Sequence, residues 1–144
     1  MLLASEKVDF RISTTDVEVV YTESNGVKIK VDIQQIDDLK NEKYREIEFH
    51  FFAVAELKCI TLNFFDFNHD SYKIQDAIDD EINHWETTGI NPNPHFYQVI
   101  NSEILREKGS IYDPNNRLKL KHYLILGYDS YIEIIASKYE INDM

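Results

Sequence analysis

Two alternating runs meet at one dipeptide near the start of the chain. DVEVVYTE (residues 16–23) and VKIKVDI (residues 27–33) flank Asn25-Gly26. Side chains of a strand point alternately to opposite faces. Val27, Ile29, Val31 and Ile33 therefore share one face, and Lys28, Lys30 and Asp32 share the other. Asn-Gly takes the positive φ angles that a two-residue type I′ turn demands. The runs predict an antiparallel hairpin with one apolar face. That face must be buried, and the rest of the chain has to supply the cover.

The supply comes in two periods. After a polar break at residues 34–43, REIEFHFFAVAELKCITLNFF is too long for one strand and too rich in aromatic and β-branched residues for a helix. A division near Ala55-Glu56-Leu57 gives strands at about 44–54 and 58–65. The period then lengthens. In DSYKIQDAIDDEINHWETTG, Ile74, Ala77/Ile78, Ile82 and Trp85 recur at helical spacing. Asp70 or Ser71 can cap the start, Gly89 can take a left-handed stop, and Pro92 and Pro94 forbid continuation. A helix over about 71–87 is expected. FYQVI reads as a strand, SEILREKG as a short helix at about 102–108, and Asp113-Pro114-Asn115-Asn116 as a turn. LKLKHYLIL and SYIEIIAS then form two strands around Gly127-Tyr128-Asp129. Matching apolar faces pairs Leu124 with Ile134 and sets His122 opposite Ala136. The expected fold class is α+β: a mainly antiparallel, curved β-sheet of about seven or eight strands, packed by one principal helix and one short helix.

A chain of 144 residues suits a single domain over 1–144, and 43% hydrophobic residues are enough for a sizeable core. The net charge of −11 opposes binding to nucleic acid, which requires a basic stripe, and to an anionic membrane surface. Such a charge suits a soluble protein or one with a basic partner. Cys59 has no second cysteine to pair with. The N-terminal apolar run ends too soon for a signal peptide, no window reaches membrane-span length, and no Asn-x-Ser/Thr acceptor occurs. A cytoplasmic location is expected.

Residues 84–98, HWETTGINPNPHFYQ, hold the only Trp, two of the five His and two of the three Pro. Helix termination explains most of that density, with Trp85 filling the core. A loop at a helix end bearing His95, Phe96 and Tyr97 is also where sites collect. Asp66-Phe67-Asn68-His69-Asp70 starts like a calcium loop, but the sixth position is Ser71 rather than Gly and the twelfth is Ala77 rather than Glu. It reads as a polar turn. Glu46, Glu48 and His50 share a strand face and could hold a metal or exchange protons. A charged ladder opposite Lys28 and Lys30 is the plainer reading. His122 among leucines reads as a satisfied core histidine, and Cys59 as a small buried hydrophobe. No phosphate loop, G-x-S-x-G, H-E-x-x-H or C-x-x-C occurs, and no cofactor or metal is expected.

Charge placement is the strongest remaining signal. Residues 66–86 carry seven acids against Lys73 alone, whereas residues 104–121 carry five cations against two acids. On the expected helix Asp76, Asp79, Asp80 and Asn83 lie opposite the Ile/Trp stripe. This predicts a binding module with an anionic face for a basic protein partner, with Tyr72, Phe67 and Tyr97 as aromatic anchors. Small acidic proteins without catalytic motifs include bacterial immunity proteins, which mask basic nuclease sites; the analogy is one of size and charge. Two other readings stand beside it. One is an enzyme or small-ligand binder with a pocket between helix and sheet, formed by His95, Tyr97, Tyr128 and Asp129. The other is a structural homodimer that pairs a sheet edge at residues 49–54.

Overall fold

Alternation governs half of the molecule and fails in the other half. The computed structural model describes residues 1–13 and 16–144. In chain order the strands and helices begin with β1 (Leu2–Ser5), β2 (Phe10–Ile12), β3 (Glu18–Thr22), β4 (Gly26–Gln35), α1 (Ile36–Lys40) and β5 (Arg45–Phe52). They continue with β6 (Glu56–Ile60), α2 (Phe64–Asn68), β7 (Lys73–Ile74), α3 (Glu81–Thr88) and β8 (Phe96–Val99). The chain closes with α4 (Glu103–Tyr112), β9 (Lys121–Leu126), β10 (Tyr131–Ala136) and β11 (Lys138–Asp143). The class is α+β with mostly antiparallel strands, as expected. Among the described residues, however, eleven strands form two sheets, rather than seven or eight forming one.

The five-stranded sheet runs β11-β5-β4-β2, with β3 also on β4. Its pattern is the one read from the sequence: Val27, Ile29, Val31, Ile33, Ile47, Phe49 and Phe51 are all buried, with partly exposed residues between them. The turn differs in type. Thr22 pairs with Gly26, so the loop is Glu23-Ser24-Asn25 and only Gly26 takes positive φ, at 75°. A Cβ at Gly26 would lie 2.5 Å from the Phe51 carbonyl oxygen, so the position excludes a side chain on two counts. The polar break is partly helical: Asp38 caps α1 through the Gln35 N–H at 3.0 Å and accepts from Arg45 Nε at 2.7 Å. Strand β5 lies between β4 and β11. The segment 49–54 is therefore no free edge, and the dimer built on it loses its basis.

The six-stranded sheet runs β6-β10-β9-β8-β1-β7. Phe96, Tyr123, Ile125, Ile132, Ile134 and Ala136 face the buried side chains of the other sheet and close the main core. The opposite face is buried as well: Leu3, Tyr97, Val99, Leu124, Leu126 and Tyr131 pack with Phe64, Phe65 and Tyr72 from the segment that follows β6. The chain changes sheets twice at one corner, through Ala53 and Ser137. There the Ser137 N–H donates to the Phe52 carbonyl at 3.1 Å and the Ala55 N–H to the Ile135 carbonyl at 2.7 Å.

The β9–β10 register is one residue away from the expected one. Tyr123 pairs with Ile134, Leu124 with Glu133 and His122 with Ile135. Both faces of β9 are apolar and buried, so face matching cannot choose between adjacent registers. His122 is nevertheless buried, at 4% exposure. The principal helix is also shorter than expected. Lys73–Ile74 forms a strand parallel to β1, and the Lys73 and Gln75 N–H groups donate to Met1 and Leu3 carbonyls at 2.9 and 2.7 Å. Pairing beside the buried Leu3 overrides the helical period. Helix α3 starts at Asp80, whose carboxylate accepts from the Asn83 N–H at 3.1 Å, and stops at left-handed Gly89. The short helix α4 runs on to Tyr112, through Gly109. Cys59 is exposed on edge strand β6, not buried. Among the described residues no helix is long and apolar enough to cross a membrane.

Candidate functional site

Most of the 84–98 stretch is structural. Trp85 is buried, and its indole N–H donates to the Asp9 carbonyl at 2.9 Å, pinning α3 beside the turn between β1 and β2. Asn91 is buried and accepts from the Asn93 N–H at 2.7 Å, and Asn93 in turn accepts the Tyr97 hydroxyl proton. Burial, then the nearby Tyr72 and Glu81, raises the Tyr97 hydroxyl well above its ordinary range, so it stays a donor. A ring with no exposed surface cannot anchor a partner, so Tyr97 leaves that role.

His95 is different. It holds φ of 64°, an uncommon backbone conformation for a residue with a side chain. Its carbonyl accepts from the Leu126 N–H at 3.0 Å, which ties the loop before β8 to the end of β9. Its ring stands 5.6 Å from that of Phe65. Burial, then the positive charge of Arg11, lowers the imidazole pKa to about 4, against an opposing hydrogen bond with the Ile12 backbone. The ring is therefore neutral at pH 7. It lines a cleft of about 410 Å³ with Arg11, Asn63, Phe65, Leu126 and Tyr128. Asn63 Nδ2 holds the Tyr128 carbonyl at 2.8 Å, and the Tyr128 ring is 67% exposed. Of the four residues expected to form a pocket, His95 and Tyr128 meet; Tyr97 and Asp129 do not line the cleft. Arg11, on β2, and Phe65, in α2, are not legible as members, because only the assembled fold brings them there.

The acidic segment loses its single helical face. Asp76, with φ of 55°, and Asp79 precede α3, Asp80 caps it, and only Asn83 lies within it. The charge stays outward all the same: Asp66, Asp70, Asp76, Asp79, Asp80 and Glu86 are exposed. Among the described residues, only Glu86 of the seven acids pairs with a lysine or arginine, Lys40 at 3.0 Å, and Asp70 lies 3.1 Å from His69 Nε2. Phe67 is 61% exposed and Ile82 47% exposed on the same segment, whereas Tyr72 is partly buried against Phe64 and Phe65. Asp66 and Asn68 lie in α2. Among the described residues no group of three or more His, Cys, Asp or Glu side chains is placed to hold a metal.

His122 is bonded on both ring nitrogens. Nδ1 lies 2.7 Å from Ser102 Oγ and Nε2 lies 3.2 Å from Glu133 Oε1. Ser102 also caps α4, accepting from the Leu105 N–H at 3.2 Å. Neither partner stands out in the sequence as a partner of His122. A Ser before an amphipathic run reads as a cap, but Glu133, the only charge within YIEIIA, signals that one face there is polar. Ser102, His122 and Glu133 line a second cavity of about 290 Å³, together with Val99, Asn101 and Ile104. Comparison with protein-family models, with curated proteins and with solved structures finds no match for this chain.

Proposed function

We propose that the protein is a binding module that docks a basic protein partner on its 66–86 segment, in the manner of an inhibitor or immunity protein. One observation carries the reading: unpaired, outward carboxylates share a short stretch with exposed Phe67 and Ile82. Solubility alone gives no reason to expose large apolar groups there. Anions steer a cationic partner, and apolar side chains hold it once water is expelled. The test is capture and kinetics with wild type and with Asp76→Asn, Asp79→Asn, Asp80→Asn combined. Asn tolerates positive φ at 76 and caps a helix at 80 as well as Asp does, so the fold is spared. The variant should associate more slowly, and added salt should slow the wild type. Equal rates for both proteins reduce the segment to solvated surface.

A second reading rests on the meeting of the two loops. The cleft of Arg11, His95, Phe65 and Tyr128 suits a small anion with a planar group, the anion facing Arg11 and the plane stacking on an aromatic ring. Titration with simple aromatic carboxylates, followed through the His95 ring resonances, tests it. Shifts that vanish in Arg11→Gln support the site, and unmoved resonances remove it.

A further inference from the structure

We infer that Ser102, His122 and Glu133 form an acyl-transfer centre that hydrolyses small, uncharged carboxylic esters. This goes beyond the docking reading and does not depend on it. The inference rests on a hydrogen-bonded chain that opens into a cavity. Glu133, as a carboxylate, can only accept, so the bond at His122 Nε2 assigns the ring proton to that nitrogen. Nδ1 then carries a lone pair, and the 2.7 Å contact is the Ser102 O–H donating to it. A hydroxyl has one proton and two lone pairs. The proton faces His122, one lone pair receives the Leu105 N–H, and one remains for attack. Nucleophile, base and orienting carboxylate are recognised by these roles, not by their order in the chain.

The fold supplies the remaining parts. Ser102 stands at the start of the ten-residue α4, whose first N–H groups have no intrahelical acceptor. Among the described residues, the Glu103 and Ile104 N–H groups have no acceptor, and both residues line the cavity. Capping alone does not explain the arrangement. Asp or Asn would cap equally well, yet here the hydroxyl proton is aimed at a buried imidazole. The cavity also has apolar wall at Val99 and Ile104, and acids at Glu103 and Glu133. An uncharged acyl group suits the apolar part of that lining.

The step balances with water as the only co-substrate. Ser102 Oγ bonds to the ester carbonyl carbon as its proton passes to His122 Nδ1. The carbonyl electron pair moves onto oxygen, within reach of the first-turn N–H groups. As that pair returns, the bond to the alcohol oxygen breaks and the alcohol leaves with the proton from His122. Water then adds to the acyl-serine carbon, gives a proton to His122 Nδ1, and Ser102 departs as its hydroxyl with that proton. Ser102 and His122 are catalytic residues, and Glu133 is a positioning residue.

The test uses the full chain with a fluorophosphonate probe and p-nitrophenyl acetate. The expected results are a single adduct on Ser102 and release of p-nitrophenol. Ser102→Asn keeps the cap but not the nucleophile, and should lose both. Exposed Ser110→Ala on the same helix should lose neither. His122→Asn should lower kcat by about a hundredfold or more. Glu133→Gln should lower kcat at unchanged KM, and Glu133→Asp should recover part of it. Should His122→Asn fail to fold, the Ser102 and Glu133 variants still decide. An unlabelled wild type, an adduct elsewhere, or equal turnover by Ser102→Asn overturns the proposal.

Discussion

The two sheets share one core and differ on their far sides. The five-stranded sheet presents Lys28, Lys30, Asp32, Glu46, Glu48 and His50 outward, with Lys30 opposite Glu48. The six-stranded sheet has no such face along β9. Leu124 and Leu126 lie under Phe64, Phe65 and Tyr72 as deeply as Tyr123 and Ile125 lie under the other sheet. A one-sided sheet announces its orientation through alternation, and a two-sided sheet hides it. The hidden side is also where the buried histidine finds its polar partners.

The largest expected effect tests that two-sidedness. Leu124→Ala should cost about 2–5 kcal/mol, as should a core truncation such as Ile29→Ala. Glu48→Ala, on the outward face of β5, should stay within about 0.5 kcal/mol. Urea unfolding of the three variants measures the contrast. A Leu124→Ala protein as stable as Glu48→Ala would mean that the 64–74 segment does not cover the sheet, and the comparison would fail.

The seam between the sheets supplies the next effect. His95 precedes β8 of one sheet and bonds the Ile12 backbone of the other. Its folded pKa of about 4 lies below the ordinary 6.5, so the unfolded chain takes up the proton first as pH falls. Stability should decline from pH 6.5 to 4 and level off below. The loss is at most about 3 kcal/mol, and less to the extent that water reaches the ring. His95→Asn tolerates the left-handed backbone and does not titrate, so its stability curve should lack that decline. Parallel curves for the two proteins would show His95 open to solvent.

How much was legible follows the same division. The faces of β4 and β5 could be read because every second residue is polar. The stop of α3 was written in Gly89 and Pro92, but its start was not. Only a partner strand, β1, turns Lys73–Ile74 into a strand. The one-residue error in the β9–β10 register had a chemical consequence. With Leu124 opposite Ile134, His122 falls on the face away from Glu133. In the structure the two share a face and meet at 3.2 Å. His95 and Tyr128 could be named from their loops, whereas Arg11 and Phe65 needed the assembled fold.

A moderate effect belongs to the one-sided sheet. Gly26→Ala forces a side chain onto φ of 75° and to within 2.5 Å of the Phe51 carbonyl. The backbone preference alone accounts for about 1–2 kcal/mol, and the close approach adds to it. Gly89 has the same φ of 76° but open space around its Cβ position. Gly89→Ala should therefore show the backbone cost alone, and the difference between the two melting shifts isolates the cost of contact. Equal shifts would show that the hairpin tip moves away from β5 without penalty.

The smallest expected effect lies outside both sheets, on α3. Helical periodicity places Ile82 on the same buried stripe as Trp85. The structure buries Trp85 and leaves Ile82 47% exposed, because the helix begins only at Asp80 and packs by its last turn. Ile and Ser have similar helix propensity, so Ile82→Ser isolates burial. It should change stability by no more than about 0.5 kcal/mol, against about 3–5 kcal/mol for Trp85→Ala. Chemical denaturation of the pair decides between stripe and surface. The docking reading needs Ile82 on the surface, since a side chain already buried in the fold cannot also be buried by a partner. A large loss on Ile82→Ser would return Ile82 to the core and remove one of the two exposed apolar groups on which that reading rests.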